Sequence, residues 1–91
     1  MNTLYRLYVE RINLPLLQAT VSGYFDGYTL VWSTGFWRGL REQSVIVEVI
    51  ASNSETDRIK VYDLAVALRI ALSQNTVIVT EQSVSVTFVT E

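Results

Sequence analysis

The segment from Arg58 to Gln74 most constrains the fold, because it has the pattern of a helix with two separate apolar stripes. At about 100° per residue, one broad stripe predicts packing against a core. It comprises Val61, Leu64, Ala65, Leu68, Ala71 and Leu72. The second stripe is narrower and comprises Ile59, Tyr62, Val66 and Ile70. One sheet cannot bury both stripes, so the pattern predicts that the second is an oligomer interface, most simply of a homodimer.

The rest of the chain predicts five β segments and one further helix. Asn13 is a suitable N-cap and Pro15 suits the first turn of a short helix over 14–22. Period-two alternation predicts strands over 3–10, 28–33, 44–50, 76–80 and 84–89. The last two could form a hairpin or one bent strand. Ser54 and Asp57 have the spacing of a capping box at the start of the long helix.

This order predicts an α+β, ferredoxin-like βαββαβ sandwich in a single domain, 1–91, with a terminal β extension. Its antiparallel sheet has both helices on one face. The predicted core joins the first strand to the broad helical stripe through Tyr5, Leu7, Val9, Val61, Leu64, Leu68 and Leu72. The other sheet face is left free for a ligand or a second sheet, with Tyr8 and Trp32 expected on it.

The residues that are absent exclude several kinds of chemistry. The 91 residues include no Cys and no His, so the chain has no thiolate nucleophile, no zinc-thiolate site and no imidazole base. We therefore expect no catalytic residues, no metal and no cofactor. A net charge of −2 without a basic run makes nucleic acid an unfavourable partner. The hydrophobic content of 49% is high for so short a chain and favours burial between subunits.

The localisation expected from the sequence is cytoplasmic. The first fifteen residues lack the apolar run of a signal peptide. No segment reaches the roughly 18 to 20 consecutive apolar residues that a membrane span requires. The sequence therefore predicts a soluble protein.

The connection STGFWRGLREQ is the main candidate for a binding site. The candidate residues on it and beside it are Trp32, Phe36, Trp37, Arg38, Arg41 and Glu42. Aromatic rings with guanidinium groups suit stacking on a planar ligand or holding an anion, and the same residue types anchor protein interfaces. A structural role, with Trp37 folded back onto the sheet, is the third alternative. Glu42 and Glu48 would lie about 20 Å apart on an extended strand, too far for paired carboxylate catalysis.

Several short motifs resemble small bacterial and phage-encoded domains of unknown function. The matching motifs are LY in the first strand, F-x-G-x-T, G-x-W, an R-E pair and a Gln before the last strands. They fall on Leu7, Tyr8, Phe25, Gly27, Thr29, Gly35, Trp37, Arg41, Glu42 and Gln74. The resemblance implies a ferredoxin-like fold and carries no established activity.

The sequence therefore predicts a small, non-catalytic, homo-oligomeric interaction module of unknown biological role, with a further protein as a candidate partner. The alternative is a small-molecule-binding protein, or a cofactor-independent enzyme of the dimeric ferredoxin-like type, using the Trp37 connection and the free sheet face. A nucleic-acid-binding protein using Tyr8, Trp32 and Arg6 has suitable aromatic rings but too little positive charge.

Overall fold

A computed structural model describes residues 2–91 as one four-stranded antiparallel sheet with two helices on one face. The elements are β1 (Asn2–Glu10), α1 (Leu14–Ser22), β2 (Thr29–Trp37), β3 (Leu40–Ser52), α2 (Glu55–Ala71) and β4 (Ile78–Val84). The strand order is β2-β3-β1-β4. This is the ferredoxin-like βαββαβ arrangement predicted from the sequence.

The core lies between the two helices and the central strands. Alternate residues of β1 and β3 are buried, because the side chains of a strand alternate between its two faces. Leu7, Leu64 and Leu68 are completely buried. All seven predicted core residues are buried, together with Leu17, Val21, Val45, Val47 and Val49.

The ends of both helices follow local capping chemistry. The Asn13 side chain accepts a hydrogen bond of 3.1 Å from the Leu16 amide, so α1 begins and ends as predicted. The second helix begins three residues earlier than predicted and ends at Ala71 rather than Gln74. It ends there because Ser73 has a left-handed backbone (φ 54°), and the Gln74 amide donates back to the Arg69 carbonyl.

Only half of the predicted capping box forms at the start of α2. Ser54 Oγ accepts from the Asp57 amide at 3.2 Å, as an N-cap should. The Asp57 carboxylate does not bond to the Ser54 amide. It accepts instead from the Ser52 amide at 2.9 Å and the Ser52 hydroxyl at 2.6 Å, which joins the end of β3 to α2. These hydrogen bonds hold the pKa of the Asp57 carboxyl below its usual value.

Asp57→Asn is expected to lower the melting temperature at neutral pH, because the amide replaces a carboxylate that accepts two hydrogen bonds. A carboxyl whose pKa is lowered in the folded state adds stability above its unfolded pKa and loses it as the pH falls through the folded pKa. The difference between wild type and variant should therefore shrink below about pH 4. Melting temperatures measured from pH 7 to pH 2.5 test this, and a difference that does not change with pH would contradict it.

The connection predicted between the second and third strands is itself mostly strand. β2 continues to Trp37 and β3 begins at Leu40, so only Arg38 and Gly39 form the turn. Both turn residues have positive φ, 51° and 78°, which is the geometry of a two-residue type I′ hairpin. The result is a long β-hairpin rather than a projecting loop.

The last predicted strand is not part of the sheet. β4 is a single strand that passes through Glu81–Ser83 without a turn, so the hairpin alternative is wrong. Val84 pairs with Asn2, where β1 begins, and within residues 2–91 no strand pairs with the chain beyond Val84. Residues 85–91, here called the tail, continue without regular structure.

The molecule exposes more surface than its mass requires. Its accessible surface is 6359 Å², against about 5,400 Å² for a compact monomer of 10.3 kDa. Its radius of gyration is 13.6 Å, against about 12 Å for a compact domain of this length. Much of the excess is apolar and lies on the hairpin and the tail, where Phe36, Trp37, Leu40, Phe88 and Val89 are each more than three-fifths exposed.

Candidate binding surfaces

The sheet face opposite the helices, here called the open face, is broad and has an apolar strip across its strands, beside polar side chains. The register places Tyr8, Ile46 and Val31 side by side across three strands. Ile50 and Ile78 on this face are more than half exposed. Its remaining central residues are Leu4, Arg6, Glu48, Thr80 and Gln82.

The polar side chains near the centre of the open face are already paired with one another. Arg6 and Glu48 are cross-strand neighbours, with Nε and Oε2 2.9 Å apart. Their side chains are only about a third exposed or less, at 34% and 26%. The Ser33 and Ser44 hydroxyls also bond across two strands, at 2.6 Å. Paired groups cost less to desolvate than unpaired ones, so the open face is suited to burial against another apolar surface.

The hairpin divides the six candidate site residues between its two sides. Trp32, Phe36 and Arg41 have the register of the helix-facing side. Trp37 and Glu42 have the register of the open face, where Trp37 pairs across the strands with Leu40. Arg38 occupies the turn, with its guanidinium carbon 5.7 Å from the centre of the Trp37 ring. The structure therefore forms two groups where the sequence suggested one site.

The helix-facing group, here called the hairpin site, is Arg11, Trp32, Phe36 and Arg41. Trp32 lies on the helix-facing side rather than on the free face where it was expected, and it is 54% exposed because the helices do not cover this end of the sheet. The Arg11 guanidinium stacks 5.0 Å from the Trp32 ring centre and also donates to the Gln43 side chain. Arg11 lies beside Trp32, and Phe36 is opposite Arg41 four residues further along β2, about 13 Å away on the same side of the hairpin. Exposed aromatic rings with arginines beside them fit a ligand that has a planar ring and negative charge.

The second apolar stripe of α2 faces solvent in the single chain. Ile59, Tyr62 and Ile70 are 53%, 58% and 64% exposed, and Val66 is partly buried. The stripe lies apart from the core, as the sequence indicated.

A groove of about 410 Å³, here called the α2–β4 groove, runs between α2 and β4 on the helix side. Its apolar walls include Val61, Ala65, Val66, Val77 and Val79.

Charged groups and two tyrosines complete the groove. Arg58 Nη2 lies 3.3 Å from Glu81 Oε1, and Arg69 also lines the groove. Tyr5 is buried and donates its hydroxyl to the Ser52 carbonyl at 2.8 Å. Burial, and then the nearby Glu81 carboxylate, raise the pKa of this phenol.

Sequence analysis alone did not identify Arg11 or the α2–β4 groove. Arg11 follows β1 directly, and only the strand register brings it to Trp32. The groove depends on how far α2 lies from the edge strand, which no local pattern determines. Gln74, one of the residues that carry the resemblance to small phage and bacterial domains, is buried. Its side chain donates to the Glu10 carbonyl at 3.4 Å, which is a structural contact.

Within residues 2–91, no three acidic side chains lie close enough together to hold a metal ion. None of the helices in this part of the chain has the length and apolar character needed to cross a membrane.

Comparison with known proteins shows the fold. No protein-family model and no curated protein matches the sequence. A phage SAM lyase solved with S-methyl-5′-thioadenosine is 22% identical, with a TM-score of 0.70 over 89% of this chain and 80% of that chain. A DUF3240 family protein from Shewanella baltica OS155 is 14% identical, with a TM-score of 0.70 over 99% and 97%. The PII-like protein CPII from Thiomonas intermedia K12, bound to ADP, AMP and bicarbonate, is 11% identical, with a TM-score of 0.66 over 98% and 96%. The chain thus shares its fold with small phage and bacterial ferredoxin-like proteins, some of them PII-like.

Proposed function

We propose that this chain is a homo-oligomeric module, cytoplasmic in setting, that binds a small molecule containing an adenine ring. The observation that carries the proposal is the combination of a self-paired apolar open face with an exposed hairpin site. The first supplies an assembly surface and the second a place for a ligand. The proposal joins the interaction module and the small-molecule-binding protein that the sequence indicated as alternatives.

Assembly through the open face is supported by the pairing of its polar groups. The Arg6–Glu48 ion pair and the Ser33–Ser44 hydrogen bond leave few polar groups that need water. Trp37 and Leu40 extend the same face along the hairpin. The apolar stripe with Ile59 and Ile70 gives a second contact surface on the opposite side of the molecule. A chain with about 1,000 Å² more exposed surface than a compact monomer has enough area for a stable interface.

The ligand class is supported by the hairpin site and by what similar structures hold. S-methyl-5′-thioadenosine, ADP and AMP, named with two of the structural neighbours, all contain adenosine. In this chain, Trp32 and Phe36 offer flat faces for a purine, and Arg11 and Arg41 offer charge for a phosphate or carboxylate. Nucleic acid is a poorer fit, because Tyr8 and Trp32 lie on opposite faces and Arg6 is paired with Glu48.

A second candidate function is an enzyme that consumes S-adenosylmethionine. It is favoured by the likeness to the phage SAM lyase, which spans most of both chains. Incubating the protein with S-adenosylmethionine and measuring the substrate and S-methyl-5′-thioadenosine by liquid chromatography tests it directly. Binding without turnover would leave the binding function alone.

The ligand proposal predicts that ADP, AMP, S-adenosylmethionine or S-methyl-5′-thioadenosine raises the melting temperature of the wild type, because ligand binding to the folded state stabilises it. Phe36→Ala and Arg41→Ala should each weaken that ligand about tenfold or more, since both groups would contact it. Isothermal titration measures the affinities. Affinities unchanged in both variants would contradict the location of the site.

Trp37→Ala is the matched aromatic variant on the other side of the hairpin. It is expected to weaken assembly, because truncating an aromatic anchor commonly costs about 2 kcal/mol or more. Sedimentation equilibrium measures the association constant. An unchanged constant would indicate that Trp37 has only a structural role.

A further inference from the structure

The tail has a strand-forming sequence but pairs with no strand within residues 2–91. Five of the seven residues in SVTFVTE are β-branched or aromatic. Phe88 and Val89 are 86% and 92% exposed, the highest values among the large apolar residues of the described chain. Adjacent apolar side chains this exposed indicate a segment that packs against another surface.

The chain's own groove is badly placed to receive the tail. Val77 and the β4 residues Val79, Thr80 and Glu81 line the α2–β4 groove. β4 then continues to Val84, so the tail starts from the far end of the strand. To enter this groove the tail would have to reverse direction at once. It contains no Gly, Pro, Asn or Asp, and Ser85 is a weaker turn former than these, so a tight reversal is not favoured. The groove of a second molecule imposes no such reversal.

The α2–β4 groove matches the tail in length and chemistry. Arg58 and Arg69 lie eleven residues apart on α2, about 16 Å along the helix axis. The extended segment from Val86 to Glu91 also spans about 16 Å. The groove walls are mostly apolar, and the charged side chains that line it are Arg58, Arg69 and Glu81. Glu91 is the one charged side chain of the tail. Arg58 is paired with Glu81, whereas Arg69 has no ion pair within residues 2–91.

We infer that the tail of one copy binds in the α2–β4 groove of a neighbouring copy. Phe88 packs against Val66 and the adjoining apolar wall, and Glu91 lies near Arg69. This inference rests on the proposed homo-oligomer and names one segment that holds it together. It also gives Tyr62 and Val66, members of the second apolar stripe, a contact in the assembly.

Disulfide cross-linking tests the contact directly, because the chain has no cysteine of its own. A Phe88→Cys protein is mixed with a Val66→Cys protein, oxidised, and separated on a non-reducing gel. A cross-linked species at twice 10.3 kDa, at least tenfold more abundant than with each variant alone, is expected. The control mixture pairs Phe88→Cys with Gln18→Cys, which lies on the exposed side of α1.

The outcomes separate this inference from the proposed function. An oligomeric wild type that cross-links no better than the Gln18 control would overturn the tail contact and leave the oligomer intact. The Phe88→Cys/Val66→Cys double variant closing a disulfide within one chain would overturn it as well. A wild type with the mass of a single chain would overturn both proposals.

Substitutions in the tail give an independent measurement. Phe88→Ser should weaken self-association roughly tenfold or more, because a buried aromatic anchor is lost. Thr87→Ser alters the neighbouring side chain by one methyl group and should leave the association constant nearly unchanged. Equal constants for wild type and Phe88→Ser would contradict the contact. Circular dichroism should show the same fold in all three, because the tail adds nothing to the core.

Discussion

Replacing Leu68 with Ala is expected to lower the free energy of unfolding by about 2 to 5 kcal/mol. Leu68 is fully buried between α2 and the sheet. Its truncation removes apolar contacts and leaves a cavity in the close-packed core. The other core residues, which include Leu7 and Val47, cannot fill this cavity without strain. Because a small domain is stable by only about 5 to 15 kcal/mol, this is a large share of the total.

Urea denaturation at one fixed protein concentration, followed by tryptophan fluorescence, measures the loss. Leu16→Ala is the matched control, because Leu16 lies on α1 and is 38% exposed. The control should lose less than about 1 kcal/mol. Equal midpoints for Leu68→Ala and wild type would show that the core is not where the structure places it.

Ile46→Arg is expected to weaken self-association and to lower the mass toward that of the single chain, 10.3 kDa. Ile46 lies at the centre of the open face, between Tyr8 and Val31 on the neighbouring strands. An unpaired arginine there would have to be buried without a counter-ion, which costs several kcal/mol. The fold should survive, because the side chain points away from the core.

Two companion variants make the result specific. Gln18→Arg adds the same charge on the exposed side of α1 and should leave the mass unchanged. Val66→Glu places a charge on the second stripe of α2 and should also favour single chains if that stripe is covered in the assembly. Light scattering coupled to size exclusion measures all three masses. If Ile46→Arg keeps the wild-type mass, the open face is not the interface.

The sequence predicted the fold well because its strongest signals are local and periodic. The broad stripe of α2 and the alternation of β1 gave the core face directly. The Asn13 cap and Pro15 fixed the start of α1. These features depend on neighbours one to four residues away, which is the range that periodicity reports.

The errors fell where structure depends on distant partners. The hairpin connection predicted over STGFWRGLREQ is only a two-residue turn, because β3 pairs with β2 up to Arg38–Gly39. Arg is not among the residues that usually signal a type I′ turn. The predicted strand over 84–89 has the right composition, but among residues 2–91 only its first residue, Val84, pairs with β1.

The candidate site was predicted in composition but not in arrangement. Strand alternation separates Phe36 from Trp37, and only the observed register shows that Phe36 lies on the helix side with Trp32. Arg11 joins that group through a stack on Trp32 across 21 positions of sequence. Such pairings are properties of the whole sheet.

The mass of the wild-type protein in solution shows whether copies of this chain assemble. Size exclusion with light scattering at micromolar concentration should give a whole-number multiple of 10.3 kDa greater than one. That result would mean that the apolar surface exposed by the single chain is buried between copies. A mass of 10.3 kDa at this concentration would mean that the protein is a monomer and would contradict the proposed homo-oligomer.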